Sequence, residues 1–134
     1  MKKKRINILL LVIWLIIIFV MSSFNASESS NQSNFIVNLI IKIFGGNRQL
    51  ITIIVRDLAH FLEYLILGLL CSTLCEQKKD FWLVVIFCII YAISDEVHQI
   101  FVPGRAFQLL DIMIDSLGSF LGLVLYRLIF DKKR

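Results

Sequence analysis

The sequence predicts an all-α membrane protein: a bundle of four transmembrane helices, with a short interfacial helix after the first. Three observations carry this. Of the 134 residues, 58% are hydrophobic, with a mean hydropathy of +0.83, whereas a soluble domain is about 45–50% apolar. The apolar residues fall in runs of membrane length, about 20 residues being what a helix needs to cross. The basic residues cluster beside those runs: ten of the fourteen Lys and Arg lie at Lys2–Arg5, Lys78–Lys79 and Arg127–Arg134. A chain of this length holds one integral membrane domain, 1–134, located in the cell membrane.

The basic clusters also account for the net charge of +4. Charge placed this way orients spans, with the positive side cytoplasmic. No nucleic-acid-binding signature accompanies it, so nucleic acid is excluded as a partner. Cys71, Cys75 and Cys88 lie in or beside apolar runs. They lack the further ligands of a zinc site and the pattern of a disulfide framework, and read as small buried hydrophobes.

The first span is about 6–21, after the basic Lys2–Arg5. Its apolar core is long for a signal peptide, which favours an uncleaved span over a cleaved leader. Ser22 to Asn34 is polar and low in complexity and predicts a flexible outside loop. Its two Asn-x-Ser matches carry little weight in so Ser/Asn-rich a run. Phe35 to Phe44 is too short to span and reads as a helix lying on the outer leaflet, with a packed core helix as the alternative. Gly45-Gly46-Asn47 ends it. The remaining spans are about 55–74, 81–102 and 108–129. Glu76–Asp80 turns inside, Pro103-Gly104 turns outside, and both termini are cytoplasmic.

Charge enters the apolar sequence at three places: Arg56 to Tyr64, Ser94 to Arg105, and Asp111 to Gly118. At about 100° per residue, Arg56, Asp57, His60, Glu63 and Tyr64 fall within an arc of roughly 120°. In the third span Asp95, His98 and Gln99 share a face with Tyr91, while Glu96 points away. Asp111 and Asp115 are four apart on the fourth span, and Gly118 and Gly122 have the small-xxx-small spacing that admits a close neighbour. At about 1.5 Å per residue, His60, Asp95 and Asp115 come to matched depths, roughly 8–12 Å below the outer surface. Charged groups in a membrane face a bundle interior or a wet cavity. The three stripes therefore predict one polar pocket open to the cell exterior. The alternative is a set of polar contacts that only hold the bundle together, yet six carboxylates exceed what such a role needs.

Those six are Asp57, Glu63, Asp95, Glu96, Asp111 and Asp115, opposed by Arg56 and Arg105. Like charges at low dielectric repel, so the pocket is not both empty and fully ionised. A proton on one acid, Glu63 first as the deepest, is the favoured resolution. A divalent cation among His60, Asp95, His98 and Asp115 is the other.

His60-Phe61-Leu62-Glu63-Tyr64, Ser94-Asp95-Glu96-Val97-His98-Gln99, Pro103-Gly104-Arg105, Asp111, Asp115, Gly118 and Gly122 together resemble the VanZ-like family. These are small bacterial membrane proteins whose namesake is associated with resistance to the glycopeptide teicoplanin. The resemblance covers Arg56 to Gly122 and leaves out the first span and the loop after it. Asp57 stands where the family often has Lys, and Phe107 near where it often has Gly. The resemblance implies a role in the bacterial cell envelope and no particular reaction.

Three activities suit these residues. The first is a binding or envelope-modulating protein that takes a lipid headgroup or cell-wall precursor, with Arg56, Tyr64, Glu96, Gln99, Arg105, Asp111 and Asp115 as binding residues. Arg105 at the rim suits a phosphate or carboxylate. The second is an enzyme on a lipid-linked substrate, with His60 or His98 as general base and Glu63 or Asp95 orienting it or acting as acid. The third, a proton- or cation-coupled carrier, is weakened by the lack of an inverted repeat. The residues name no cofactor and fix no metal or oligomeric state.

Overall fold

The computed structural model describes residues 2–75 and 80–130. The described chain is all-helical, in five helices: α1 (Lys2–Ser22), α2 (Ala26–Phe44), α3 (Arg48–Ser72), α4 (Asp80–Gln99) and α5 (Leu109–Phe130). Three of them, α1, α4 and α5, are long and apolar enough to cross a membrane. The turn expected at Glu76–Asp80 and the basic C-terminal tail lie outside the described residues, except for Asp80.

α1 is apolar on every side after its basic start and buries only Ile18 and Ser22. Ile8, Leu9, Ile13 and Ile16 stay exposed, as do Leu83, Ile86 and Ile90 on α4 and Leu110, Met113 and Leu117 on α5. So broad an apolar exterior suits acyl chains better than water. Inside, Ile18, Tyr64, Leu67, Cys71, Cys88, Ala92 and Ile112 form the core. The buried Cys71 and Cys88 behave as the small hydrophobes expected of them.

The segment after α1 departs from expectation. Ser22–Asn34 is not a flexible loop, and the helix that follows is 19 residues long, not ten. The cause is a capping box. The Asn25 side chain accepts from the Glu28 backbone N–H at 2.9 Å, and Glu28 Oε2 accepts from the Asn25 N–H at 3.0 Å. These satisfy two of the helix's orphan donors and nucleate it ahead of the apolar part. Gly45 and Gly46 then end it with φ of 69° and 113°, in the left-handed region where glycine has no steric penalty. Asn47 starts α3 at once, accepting from the N–H groups of Gln49 and Leu50.

α3 touches all four other helices and packs most extensively on α5. A Cβ on Gly118 would collide with the Phe61 carbonyl oxygen, and one on Gly122 with that of Leu65. The small-xxx-small stripe thus brings two backbones into contact, as its spacing predicted. Positions advance together along both helices, so α3 and α5 run parallel, and α4, which joins them in the chain, returns in the opposite direction. α1 runs alongside α4: Tyr91 donates to the Leu15 carbonyl at 2.8 Å, and the His98 ring lies 4.6 Å from that of Phe19. Trp14 donates to the Glu63 carbonyl at 2.9 Å and ties α1 to α3.

Candidate functional site

The parallel register of α3 and α5 sets the site. Arg56 lies 3.9 Å from Asp111, and four residues further on along both helices His60 Nδ1 lies 3.6 Å from Asp115. Arg56 also lies 3.6 Å from Asp57. Asp95 enters from α4, so that His60, Asp95 and Asp115 bring their donor atoms within 4.8 Å of one another. Asp115 is fully buried, Asp95 is 4% exposed and His60 8% exposed. These are the three residues whose depths matched in the sequence. Tyr64, one turn below His60, is fully buried, and its hydroxyl has no hydrogen-bond partner.

Two adjoining cavities of about 220 Å³ each open beside this cluster. His60 and Glu63 line the deeper one, and Arg56 and Arg105 line both. The roof is α2, through Ser29 and Ser33. α2 is seated there by the Ala26 N–H, which donates to the Pro103 carbonyl at 3.4 Å, and by Ala26 Cβ packing over Gly104. Arg105 is half-buried, and its Nε and Nη1 have no hydrogen-bond partner. Burial and the nearby Arg56 guanidinium both hold its pKa below the usual guanidinium range. Two guanidiniums at one cavity wall, each with a buried donor that has no partner, favour an anion beside them.

A sequence model of the VanZ/LLP1 family matches residues 7–130. The chain belongs to the VanZ/LLP1 family. The match takes in α1 and α2, which the resemblance read from individual residues had left out. No curated protein and no solved structure matches the chain.

The VanZ/LLP1 site does not gather every residue that the sequence pointed to. Glu96 stands apart from the cluster of His60, Asp95 and Asp115. It is fully buried, and its Oε2 accepts the Gln108 N–H at 2.7 Å, just ahead of α5. A carboxylate there satisfies an orphan donor and complements the positive end of the helix. His98 leaves the cluster for α1, where its Nε2 lies 3.1 Å from Ser23 Oγ. Gln99 is fully buried with neither amide atom partnered. Asp111 is buried against Arg56. The serines of α2 went unnoticed as site residues, because a Ser/Asn-rich run reads as linker. The signal was there in Asn25-x-x-Glu28, followed by Ser29 and Ser33 at helical spacing.

Proposed function

We propose that this VanZ/LLP1 chain is a four-span protein of the bacterial cell membrane whose polar cavity opens to the cell exterior. There it binds the anionic headgroup of a lipid or a lipid-linked cell-wall precursor, and through that binding influences glycopeptide susceptibility. The observation that carries this reading is Arg105 with its unpartnered Nε and Nη1, beside Arg56, on the wall of a cavity roofed by serines. A phosphate accepts from a guanidinium in the plane those donors define.

The chain acts as one domain, 1–134. α3 is its second span: at 25 residues it reaches about 37 Å. Its charges are tolerated because they face α5 and the cavity instead of lipid. α1 is the retained first span, consistent with Trp14 and Ile18 being built into the bundle. α2 lies at the outer interface as the lid of the cavity. The basic clusters of the sequence support a topology with both termini in the cytoplasm.

A second reading has one observation in its favour. His60 and Glu63 line the same cavity, so an acid–base pair faces whatever the arginines hold. The protein would then act chemically on the bound headgroup.

The experiment uses the full chain in nanodiscs. It is incubated with labelled lipid-linked precursor, with anionic phospholipid or with zwitterionic phospholipid, and bound and converted species are resolved by mass spectrometry. Retention of the anionic species over the zwitterionic one supports binding. A new product that depends on His60 moves the reading to catalysis. Equal retention of all three would overturn headgroup recognition.

A further inference from the structure

The cluster of His60, Asp95 and Asp115 is not accounted for by anion binding. Asp115 is completely enclosed, yet neither of its carboxylate oxygens has a hydrogen-bond partner. Asp95 Oδ2 and His60 Nδ1 are likewise buried without one. Buried polar atoms are almost always satisfied, so four orphaned atoms at one point call for a group that accepts lone pairs. The His60–Asp115 separation of 3.6 Å is too long for a hydrogen bond. It is close to the spacing of two ligands that each sit about 2.0–2.2 Å from one ion. Two buried carboxylates facing each other also need positive charge. Arg56 already sits between Asp57 and Asp111, one turn toward the rim.

We propose that His60, Asp95 and Asp115 bind a divalent transition-metal ion, with zinc the ion that best fits one imidazole and two carboxylates. Imidazole argues against magnesium and calcium, which take oxygen ligands. Three protein ligands leave a coordination position free, as in open zinc sites. His60 is the one of the three that also lines the cavity. The site rests on the donor geometry alone and stands whether or not the cavity takes a lipid headgroup.

The test uses the full chain purified in detergent without chelator. Elemental analysis is expected to find one transition-metal ion per chain. After stripping, zinc should raise the melting temperature and magnesium should not. Asp115→Asn should lower the zinc content roughly tenfold or more, while Asp57→Asn, outside the three ligands, leaves it unchanged. His60→Cys should retain the metal and, loaded with cobalt, show a thiolate-to-metal charge-transfer band in the near ultraviolet. That spectrum decides the matter even where Asp115→Asn does not accumulate. Wild-type protein that takes up neither zinc, manganese nor cobalt overturns the site, as does uptake unchanged in both Asp115→Asn and His60→Ala. A metal-free protein with a protonated-carboxyl infrared band that vanishes in Asp115→Asn would put a shared proton in the ion's place.

Discussion

Arg105, in the loop after α4, lines the cavity and has two buried donors without a partner. Arg105→Lys keeps the charge but loses the planar fork. It is expected to weaken anionic-headgroup binding by about 1.5–3 kcal/mol, the worth of a hydrogen bond to a charged group. Titration in nanodiscs measures this, and an unchanged melting temperature shows that the fold is intact. His98, from the same polar block of sequence, instead packs on Phe19 and approaches Ser23. His98→Ala is expected to lower stability by about 1 kcal/mol, a typical net hydrogen-bond contribution, and to leave headgroup affinity within twofold, roughly the scatter for residues outside a contact. Matched depth along three polar stripes brought His60, Asp95 and Asp115 to one pocket, and the structure brings them together. Helical angles misjudged His98 because α4 has neighbours on two sides. α1 takes His98 and the start of α5 takes Glu96, and an angle alone does not say which neighbour stands where.

At the scale of elements, the glycines of α5 and the cap of α2 bear the most weight. A methyl group on Gly122 would meet the Leu65 carbonyl, which is backbone and has no rotamer to yield. Gly122→Ala is expected to destabilise the protein by about 1–3 kcal/mol, the usual range for overpacking, read as a lowered melting temperature in detergent. Ligand affinity should fall with it, since the same contact holds His60 opposite Asp115. Asn25→Ala removes the capping box and should cost about 1 kcal/mol. Its signature is local: faster hydrogen exchange at the start of α2, with α3 and α5 unchanged. The stripe of Gly118 and Gly122 was legible because small residues four apart have one obvious use in a helix. The start of α2 was not, because composition argued for a linker while four specific residues, Asn25 to Glu28, argued for a helix start.

For the whole molecule, the proposed topology makes a direct prediction. With Cys71, Cys75 and Cys88 replaced, single cysteines at Ser30 and Ala106 are expected to react with an impermeant thiol reagent in intact cells, and one at Gln77 is not. The reverse pattern would turn the cavity toward the cytoplasm. Hydrophobic runs and basic flanks made α1, α4 and α5 plain from the sequence. The contacts between them were not, because outward and inward apolar residues look alike along helices meant for lipid. α3 carries more charge through its apolar stretch than those three, in Arg56, Asp57 and Glu63. Each such charge costs about 2.5–3.5 kcal/mol at the centre of a lone inserting helix. The principal partner that shelters this face is α5, which the ribosome delivers only after α4. In the proposed four-span topology, α3 then has to wait during synthesis, held at the translocon or displaced toward the interface, until α5 arrives. In that topology, a nascent chain halted before Leu109 would lack the helix that covers this face, and would be exposed to membrane quality control.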